Sequence, residues 1–261
     1  MINWVIRPTA QELGEEFCQR LLTLLSERRH AAAARDLLSG DETPQAHLAM
    51  ALTGGSSARA FYTALAARKQ EWAPDAIDFF WSDERMVPAD DPDSNFLLAN
   101  QSLLTPAGVP TGRIHRVPTE LAPDACAAAY LSEIRRVVPE NPEGIPSFPV
   151  LILGLGADCH TASLFPHTDI FGGDDRLVRP AAATPDHPHL RMTFTPKLIN
   201  AAQQVWFVIT GDKKAEAVEH IYRRSVPVSE TPALLVDPAK TQVTCFVDAA
   251  AARLIRDAAA D

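Results

Sequence analysis

Several features that identify common classes of protein are missing from this chain of 261 residues. Positive charge is in deficit, because 24 lysines and arginines stand against 33 aspartates and glutamates. The formal net charge of −9 argues against broad binding to nucleic acid or to anionic membranes, since both need basic surfaces. An anionic small molecule stays compatible with this charge, because a local group of arginine, lysine and backbone N–H groups can hold a phosphate.

Cysteine is scarce, and long hydrophobic runs are absent. The four cysteines, Cys18, Cys126, Cys159 and Cys245, are widely spaced and match no zinc or redox pattern, which predicts free thiols in a reducing compartment. No apolar run is long enough to cross a membrane, and the first residues do not resemble a secretory signal. We therefore expect a cytoplasmic protein. Neither a Gly-x-Ser-x-Gly elbow nor a Walker loop is present, so nothing supports a serine hydrolase or a nucleotide phosphotransferase.

Apolar runs of strand length alternate with longer amphipathic segments. The runs are hydrophobic on successive residues, which is typical of strands buried on both faces. They are HLAMAL (47–52), IDFFW (77–81), VLILGL (150–155) and VWFVIT (205–210). This pattern predicts an α/β fold with a mostly parallel sheet and helices on both sides. Repeats and low-complexity linkers are absent, which favours one domain over residues 1–261.

The ends of the chain and its polar segments give weaker expectations. Thr9, with Glu12 three residues later, is typical of a capping box at the start of a helix. We expect an irregular loop over residues 171–189, short strands over 233–236 and 243–247, and a short helix at the end of the chain. SDERMVPADDPDSN, which begins at Ser82, is expected to be a loop.

Ligands of open parallel sheets bind beyond the carboxyl ends of the strands, so the segments that follow the apolar runs carry the candidate site. The first is Gly54, Gly55, Ser56 and Ser57, where a glycine-rich turn enters a helix and can present N–H groups to a phosphate. An ordinary capped turn explains the same residues. The second is Asp83-Glu84-Arg85, in which Arg85 can clamp an anion and the acidic residues can orient it; the alternative is a solvated charge cluster.

The third and fourth segments add a proton-transfer group and a cation. His160 follows a buried strand, and Asp158 precedes it by two residues, which suits a general base with an orienting carboxylate. A capping role for His160 is an equal alternative. Lys214 follows Gly211 at the start of a helix, where a cation is unfavourable unless an anion compensates it; surface charge is the alternative. His187 and His189 lie in a proline-rich segment without a matching metal-binding pattern.

Together, these segments resemble the glucosamine-6-phosphate isomerase/6-phosphogluconolactonase family over nearly the whole chain. The matching motifs are LTGGSS (52–57), WSDERMVPADDPDSN (81–95), ILGLGADCHTASLFP (152–166), RMTFTP (191–196) and GDKKA (211–215). TASLFP after His160 is similar to the lactonase branch, since deaminases carry an Asn-Glu-containing run there. A sugar-phosphate isomerase or deaminase and a non-catalytic sugar-phosphate binder are the alternatives.

The resemblance implies a Rossmann-like three-layer α/β/α fold, a small phosphorylated sugar lactone as substrate, and no metal or other cofactor. It implies hydrolysis of 6-phospho-D-glucono-1,5-lactone, a step of the oxidative pentose phosphate pathway, by water that His160 activates and Asp158 orients. The implied phosphate ligands are Gly54, Gly55, Ser56, Ser57, Arg85 and Lys214. Arg191 is implied to hold either the phosphate or the developing oxyanion. The resemblance leaves the oligomeric state open.

Cys159 departs from the family pattern, which has Asp-Gly-His where this chain has Asp158-Cys159-His160. If the glycine is needed for a positive φ, cysteine is strained there; if it is needed for space, the thiol intrudes on the pocket. We expect activity to be retained, with sensitivity to thiol reagents if Cys159 is exposed.

Overall fold

A parallel sheet of six strands forms the centre of the molecule in the computed structural model, which describes residues 1–39, 47–169 and 175–255. The strand order is β1-β9-β8-β5-β2-β3, and every neighbouring pair is parallel. The bounds are β1 Ile2–Arg7, β2 Leu48–Leu52, β3 Ile77–Trp81, β5 Val150–Leu153, β8 Gln204–Ile209 and β9 Gln242–Asp248. Strands β2, β3 and β5 are buried at every residue, as their largely apolar sequences predict.

Helices connect and cover these strands. Their bounds are α1 Ala10–Ser39, α2 Ser56–Ala67, α3 Asn95–Ala99, α4 Thr105–Ala107, α5 Pro123–Val137, α6 Pro196–Asn200 and α7 Ala215–Arg223, with a π-helical turn over Asn100–Leu104. Thr9 caps α1 as predicted, because the Glu12 amide donates to the Thr9 hydroxyl; the Glu12 carboxylate accepts from that hydroxyl, where a full capping box has it accept from the Thr9 amide. The sheet with its flanking helices confirms the predicted Rossmann-like three-layer α/β/α fold.

A second, antiparallel sheet of three strands was not predicted. Its order is β4-β7-β6, with β4 Asp83–Arg85, β6 Val178–Ala181 and β7 Arg191–Phe194. β4 lies in the segment expected to be a loop, and β6 lies in the segment expected to be irregular. These strands have three or four residues each and contain charged residues and proline, so they lack the apolar pattern on which strand prediction depends.

Two further expectations differ from the structure near the end of the chain. Residues Pro232–Leu235 form a short 3-10 helix rather than a strand, because Pro232 lacks an N–H for a sheet and sets a helical φ. Residues 249–255 form turns, and the rest of the expected final helix, like residues 171–174 of the expected loop, lies outside the described residues. The strand expected over 243–247 is confirmed as part of β9.

The topology places the candidate segments together. From β2 the chain moves outward to β3, whereas from β5 it moves outward to β8 and β9, so the winding direction reverses between β2 and β5. The carboxyl ends of β8, β5, β2 and β3 are adjacent there, which is where open α/β sheets bind ligands. One cluster of buried apolar side chains extends from Val5 to Ile255. The single domain over residues 1–261 stays a prediction. Among the described residues, no helix has both the length and the apolarity needed to cross a bilayer.

Candidate active site

The glycine-rich turn after β2 leads directly into the first turn of α2. Gly55 is the N-cap of α2 with φ 92°, a conformation that glycine adopts without strain, and no side chain caps the helix. Among the described residues, the first N–H groups of α2 have no side-chain cap and therefore suit an anion. Ser56 is exposed beside them, but the Ser57 hydroxyl lies 2.9 Å from the Thr210 hydroxyl and accepts from the Thr210 amide. Ser57 thus also joins this turn to the end of β8.

Gly54 provides space rather than an unusual backbone angle. A Cβ at this position would lie 1.9 Å from Oδ1 of Asn95, so only glycine lets the buried Asn95 amide pack against the turn. The Asn95 amide nitrogen donates to the carbonyl oxygen of Asp83 at 2.9 Å. This contact sets the distance between the glycine turn and β4, which carries Arg85.

Arg85 and Arg191 bring two cations to the same place from distant parts of the sequence. They are directly opposite each other in the antiparallel pairing of β4 and β7. Arg191 is buried, and its Nε has no hydrogen-bond partner among the described residues; the same is true of Nε of Arg85. Burial lowers the pKa of Arg191, and the charge of Arg85 lowers it further, while Asp83 opposes both effects. Such a pair is suited to bind an anion.

Asp83 and Glu84 do not orient the Arg85 side chain, so that expectation was wrong. Asp83 accepts from the Ser163 hydroxyl at 2.7 Å and lies 3.8 Å from the Arg191 guanidinium. Glu84 accepts from the amides of Asn95 and Phe96, each at 2.7 Å, and so fixes the start of α3. The Arg85 guanidinium instead donates to the carbonyl oxygen of Asp93.

Asp158 and His160 form a hydrogen-bonded pair after β5. Nδ1 of His160 donates to Oδ1 of Asp158 at 2.6 Å, and the His160 amide donates to the same oxygen at 3.3 Å. Because Nδ1 carries the proton, Nε2 of His160 has its lone pair available to accept one. Gly156 makes this geometry possible, since a Cβ there would lie 2.1 Å from both Asp158 Oδ1 and His160 Nδ1.

The charges around this pair support an ionised carboxylate. Burial raises the pKa of Asp158, but the hydrogen bonds from His160 and His187 and the charge of His160 outweigh it, and the pKa lies well below its ordinary value. Burial lowers the pKa of Lys214, and the charge of Asp158 partly restores it. Lys214 ends the 3-10 turn Asp212–Lys214 that follows β8.

Two residues at the site had no assigned role in the sequence-based prediction. Nε2 of His187 lies 3.2 Å from Oδ2 of Asp158, and the imidazole stacks on Phe165 with ring centroids 4.3 Å apart. Phe165 also contacts His160, at 5.1 Å between centroids, and the Arg191 guanidinium, at 5.7 Å from its centroid. Phe165 belongs to the motif TASLFP, so the sequence contained a signal that could have identified it. For His187, the only such signal was its proximity to Arg191 in the sequence.

Possible metal-binding atoms converge at one place among the described residues. Asp158, His160 and His187 each have one possible ligand atom, a carboxylate oxygen or an imidazole nitrogen, and these three atoms lie within 4.8 Å of one another. The atoms that face each other are already joined by N–H donation from both imidazoles to the carboxylate. This hydrogen-bonded arrangement is suited to proton transfer.

Cys159 has φ 67°, so the position between Asp158 and His160 does require the left-handed conformation that glycine favours. Its side chain is 5% exposed and lies with Sγ 3.5 Å from Nδ1 of His220 on α7. The thiol therefore packs under the loop that carries Asp158 and His160, and its burial raises its pKa. The chain accommodates cysteine by accepting backbone strain.

An uncapped glycine turn, two opposed arginines and an Asp–His pair lie together at the switch point of a parallel α/β sheet, which are the features expected of an enzyme that acts on a phosphorylated small molecule. The chain belongs to the family of glucosamine-6-phosphate isomerases/6-phosphogluconolactonases, whose model matches residues 9–245.

Relatives and solved structures agree with this assignment. The chain is 38% identical to a 6-phosphogluconolactonase of Nostoc sp. over 79% of its own length and 84% of the relative's. It is 32% identical to the human 6-phosphogluconolactonase, covering 95% of this chain and 91% of that one. The three-dimensional structure of 6-phosphogluconolactonase from Trypanosoma brucei is similar, with a TM-score of 0.79 at 25% identity, over 98% of this chain and 99% of that one.

Proposed function

We propose that the chain hydrolyses 6-phospho-D-glucono-1,5-lactone to 6-phospho-D-gluconate in the cytoplasm. The observation that carries this proposal is the Asp158–His160 pair, joined at 2.6 Å, at the same sheet edge as the glycine turn and the two opposed arginines. A general base and an anion site at the same edge suit a substrate with a phosphate at one end and a reactive carbonyl at the other. The names of the relatives supply the identity of that lactone.

In the proposed mechanism, His160 acts as base and then as acid. Nε2 of His160 takes a proton from a water molecule, whose oxygen attacks the lactone carbonyl carbon C1. Asp158 holds the Nδ1 proton and stabilises the imidazolium that forms. The tetrahedral intermediate collapses, the bond between C1 and the ring oxygen breaks, and His160 returns the proton to that oxygen. The product is the open-chain acid, which releases its own proton to solvent.

Binding of the remote phosphate positions the carbonyl for this attack. The N–H groups at the start of α2, with Gly54, Gly55, Ser56 and Ser57, form one side of the proposed phosphate site, and Arg85 and Lys214 supply charge. Arg191 contacts Phe165, which in turn contacts His160, so Arg191 links the phosphate side to the base. Loss of these contacts is expected to lower the rate as well as the affinity.

The test is proton release from freshly prepared 6-phosphoglucono-1,5-lactone at neutral pH, measured against the spontaneous reaction. We expect acceleration by the wild type and a loss of roughly 10²- to 10⁴-fold in kcat for His160→Ala, the usual contribution of a general base. His30→Ala changes an exposed histidine on α1 and is the matched control, for which the wild-type rate is expected.

A folded wild-type protein that does not accelerate hydrolysis would overturn the proposal. Release of ammonia from glucosamine 6-phosphate would instead favour the isomerase branch of the family. Thermal stabilisation by 6-phosphogluconate without any turnover would indicate a binding protein.

A further inference from the structure

The segment between β6 and β7 contains a histidine that the proposed mechanism does not use. The amides and carbonyls of Thr184 and His187 pair with each other at 2.9 and 3.0 Å, which closes a tight turn around Pro185 and Asp186. This turn fixes the backbone of His187. Its imidazole then stacks on Phe165, with 19° between the ring planes, so the side chain is fixed from a second direction.

His187 contacts the oxygen of Asp158 that His160 does not use. Oδ1 of Asp158 accepts from His160 at 2.6 Å, and Oδ2 accepts from Nε2 of His187 at 3.2 Å. The Asp158 side chain is 41% exposed, so burial alone does not determine the orientation of its carboxylate. A carboxylate held at both oxygens by two donors has a fixed plane, and this plane sets the orientation of the His160 ring.

We infer that His187 is a positioning residue for the proposed reaction: its hydrogen bond to Asp158 holds the carboxylate, and through it the His160 ring, in the orientation needed for proton transfer. The inference rests on the proposed function. His187 and His160 meet edge to face, with centroids 4.8 Å apart, so the second imidazole also limits rotation of the first. A residue that only anchored its own loop would need neither contact.

Two substitutions distinguish the effect of the hydrogen bond from His187 to Asp158 from the effect of the His187 ring. His187→Phe keeps an aromatic ring to stack on Phe165 but removes the donor to Asp158. His187→Gln keeps an N–H donor at a similar reach but removes the ring. We expect His187→Phe to lower kcat by roughly 10-fold with KM within about twofold of wild type, because misorientation of the base affects the chemical step and leaves phosphate binding intact. We expect His187→Gln to recover most of the lost kcat.

His189→Phe is the matched control. His189 lies two residues away and makes a similar contact, 2.8 Å from its Nε2 to Oδ2 of Asp93, but it does not touch the Asp158 carboxylate. Its kcat is expected to stay within about twofold of wild type, since its contact is to Asp93 rather than to Asp158 or His160.

A double-mutant cycle tests whether His187 acts through Asp158. In the Asp158→Ala background, His187→Phe should cause little further loss of kcat, because the group that it orients is gone. Equal and additive losses in both backgrounds would overturn the inference. So would wild-type kcat in a folded His187→Phe, or equal losses in the Phe and Gln variants.

A second readout does not need the lactone. In ¹⁵N NMR spectra at pH 8, we expect the His160 ring to be mainly the Nδ1–H tautomer in wild type and His187→Gln, and a mixture of tautomers in His187→Phe. If wild type fails to hydrolyse the lactone but the tautomer changes as expected, the proposed function is wrong and the positioning role stands. An unchanged tautomer together with unchanged kcat would refute the positioning role alone.

Discussion

Arg85 and Arg191 are directly opposite each other on the antiparallel strands β4 and β7, although 105 residues lie between them in the sequence. Two like charges opposite each other destabilise a strand pair unless an anion compensates them. Asp83 lies 3.8 Å from Arg191 and compensates only part of this charge, since its carboxylate is also hydrogen-bonded to Ser163. The pair is therefore expected to be most stable with a bound phosphate.

Arg191→Gln should show whether this guanidinium holds the phosphate or the oxyanion. If it holds the phosphate, kcat/KM for the phosphorylated lactone falls by roughly 10- to 100-fold, the usual value of a hydrogen bond to a charged group, while slow hydrolysis of glucono-1,5-lactone is unchanged. If it holds the oxyanion, both substrates are affected. We expect the first result, because Arg85 and Arg191 share one location. Arg223→Gln, in an exposed ion pair on α7, is the control for loss of one positive charge.

Gly156→Ala should reduce activity without removing any functional group. The new Cβ would lie 2.1 Å from both Asp158 Oδ1 and His160 Nδ1, so the pair must separate. We expect kcat to fall by roughly 10²-fold or more, approaching the effect of His160→Ala. Gly112→Ala is the matched control, since its Cβ meets no atom within 4 Å. A variant of Gly156 with wild-type kcat would show that the Asp158–His160 contact is dispensable.

The parallel sheet could be predicted from sequence because its central strands are uninterrupted apolar runs, and the four loops of the site follow those strands. The partners of Asp83 and Glu84 could not be predicted. Their position next to Arg85 in the sequence suggested that they contact its side chain. The antiparallel pairing of β4 with β7 instead brings Asp83 close to Arg191. Such pairing between short polar strands depends on the tertiary fold, which periodicity does not report.

The role of His187 was missed for a related reason. Sequence patterns of metal ligands and catalytic groups depend on neighbouring residues, and Asp186, Pro188 and His189 do not complete such a pattern with His187. Its contact with Asp158 depends on the turn at Thr184 and on the stacking surface of Phe165. The strain at Cys159, in contrast, was predictable, because a single position in the motif Asp158-Cys159-His160 requires a positive φ.

Thiol reagents should not inactivate the folded protein. All four cysteines are buried, and burial raises the pKa of the Cys159 thiol, so little reactive thiolate is available. We expect an aromatic disulfide reagent to react only as the protein unfolds, and to inactivate wild type and Cys159→Gly at the same slow rate. Rapid loss of activity in wild type that Cys159→Gly prevents would contradict the buried position of this thiol.

A buried histidine, His115, lies between the carboxylates of Asp78 on β3 and Glu133 on α5. His115 is 7% exposed; its Nε2 lies 2.9 Å from Asp78 and its Nδ1 2.6 Å from Glu133. Arg136 also contacts Glu133, at 2.6 Å. The group joins β3 to α5, so its charge state is expected to affect the stability of the fold.

The stability of the protein should fall in acid partly through Glu133. The hydrogen bond from Arg136 lowers its pKa from 4.5 to about 2, with His115 contributing and burial opposing. Because the folded-state pKa is the lower one, this carboxylate stabilises the fold above about pH 4.5, and the contribution is lost as the pH falls to about 2.

Glu133→Gln should therefore have a lower Tm than wild type at pH 7, and the difference should vanish near pH 2. Thermal unfolding followed by circular dichroism across this range measures it, with Glu143→Gln as the exposed control. A difference in Tm that persists unchanged at pH 2 would mean that the glutamate acts through packing rather than through its charge.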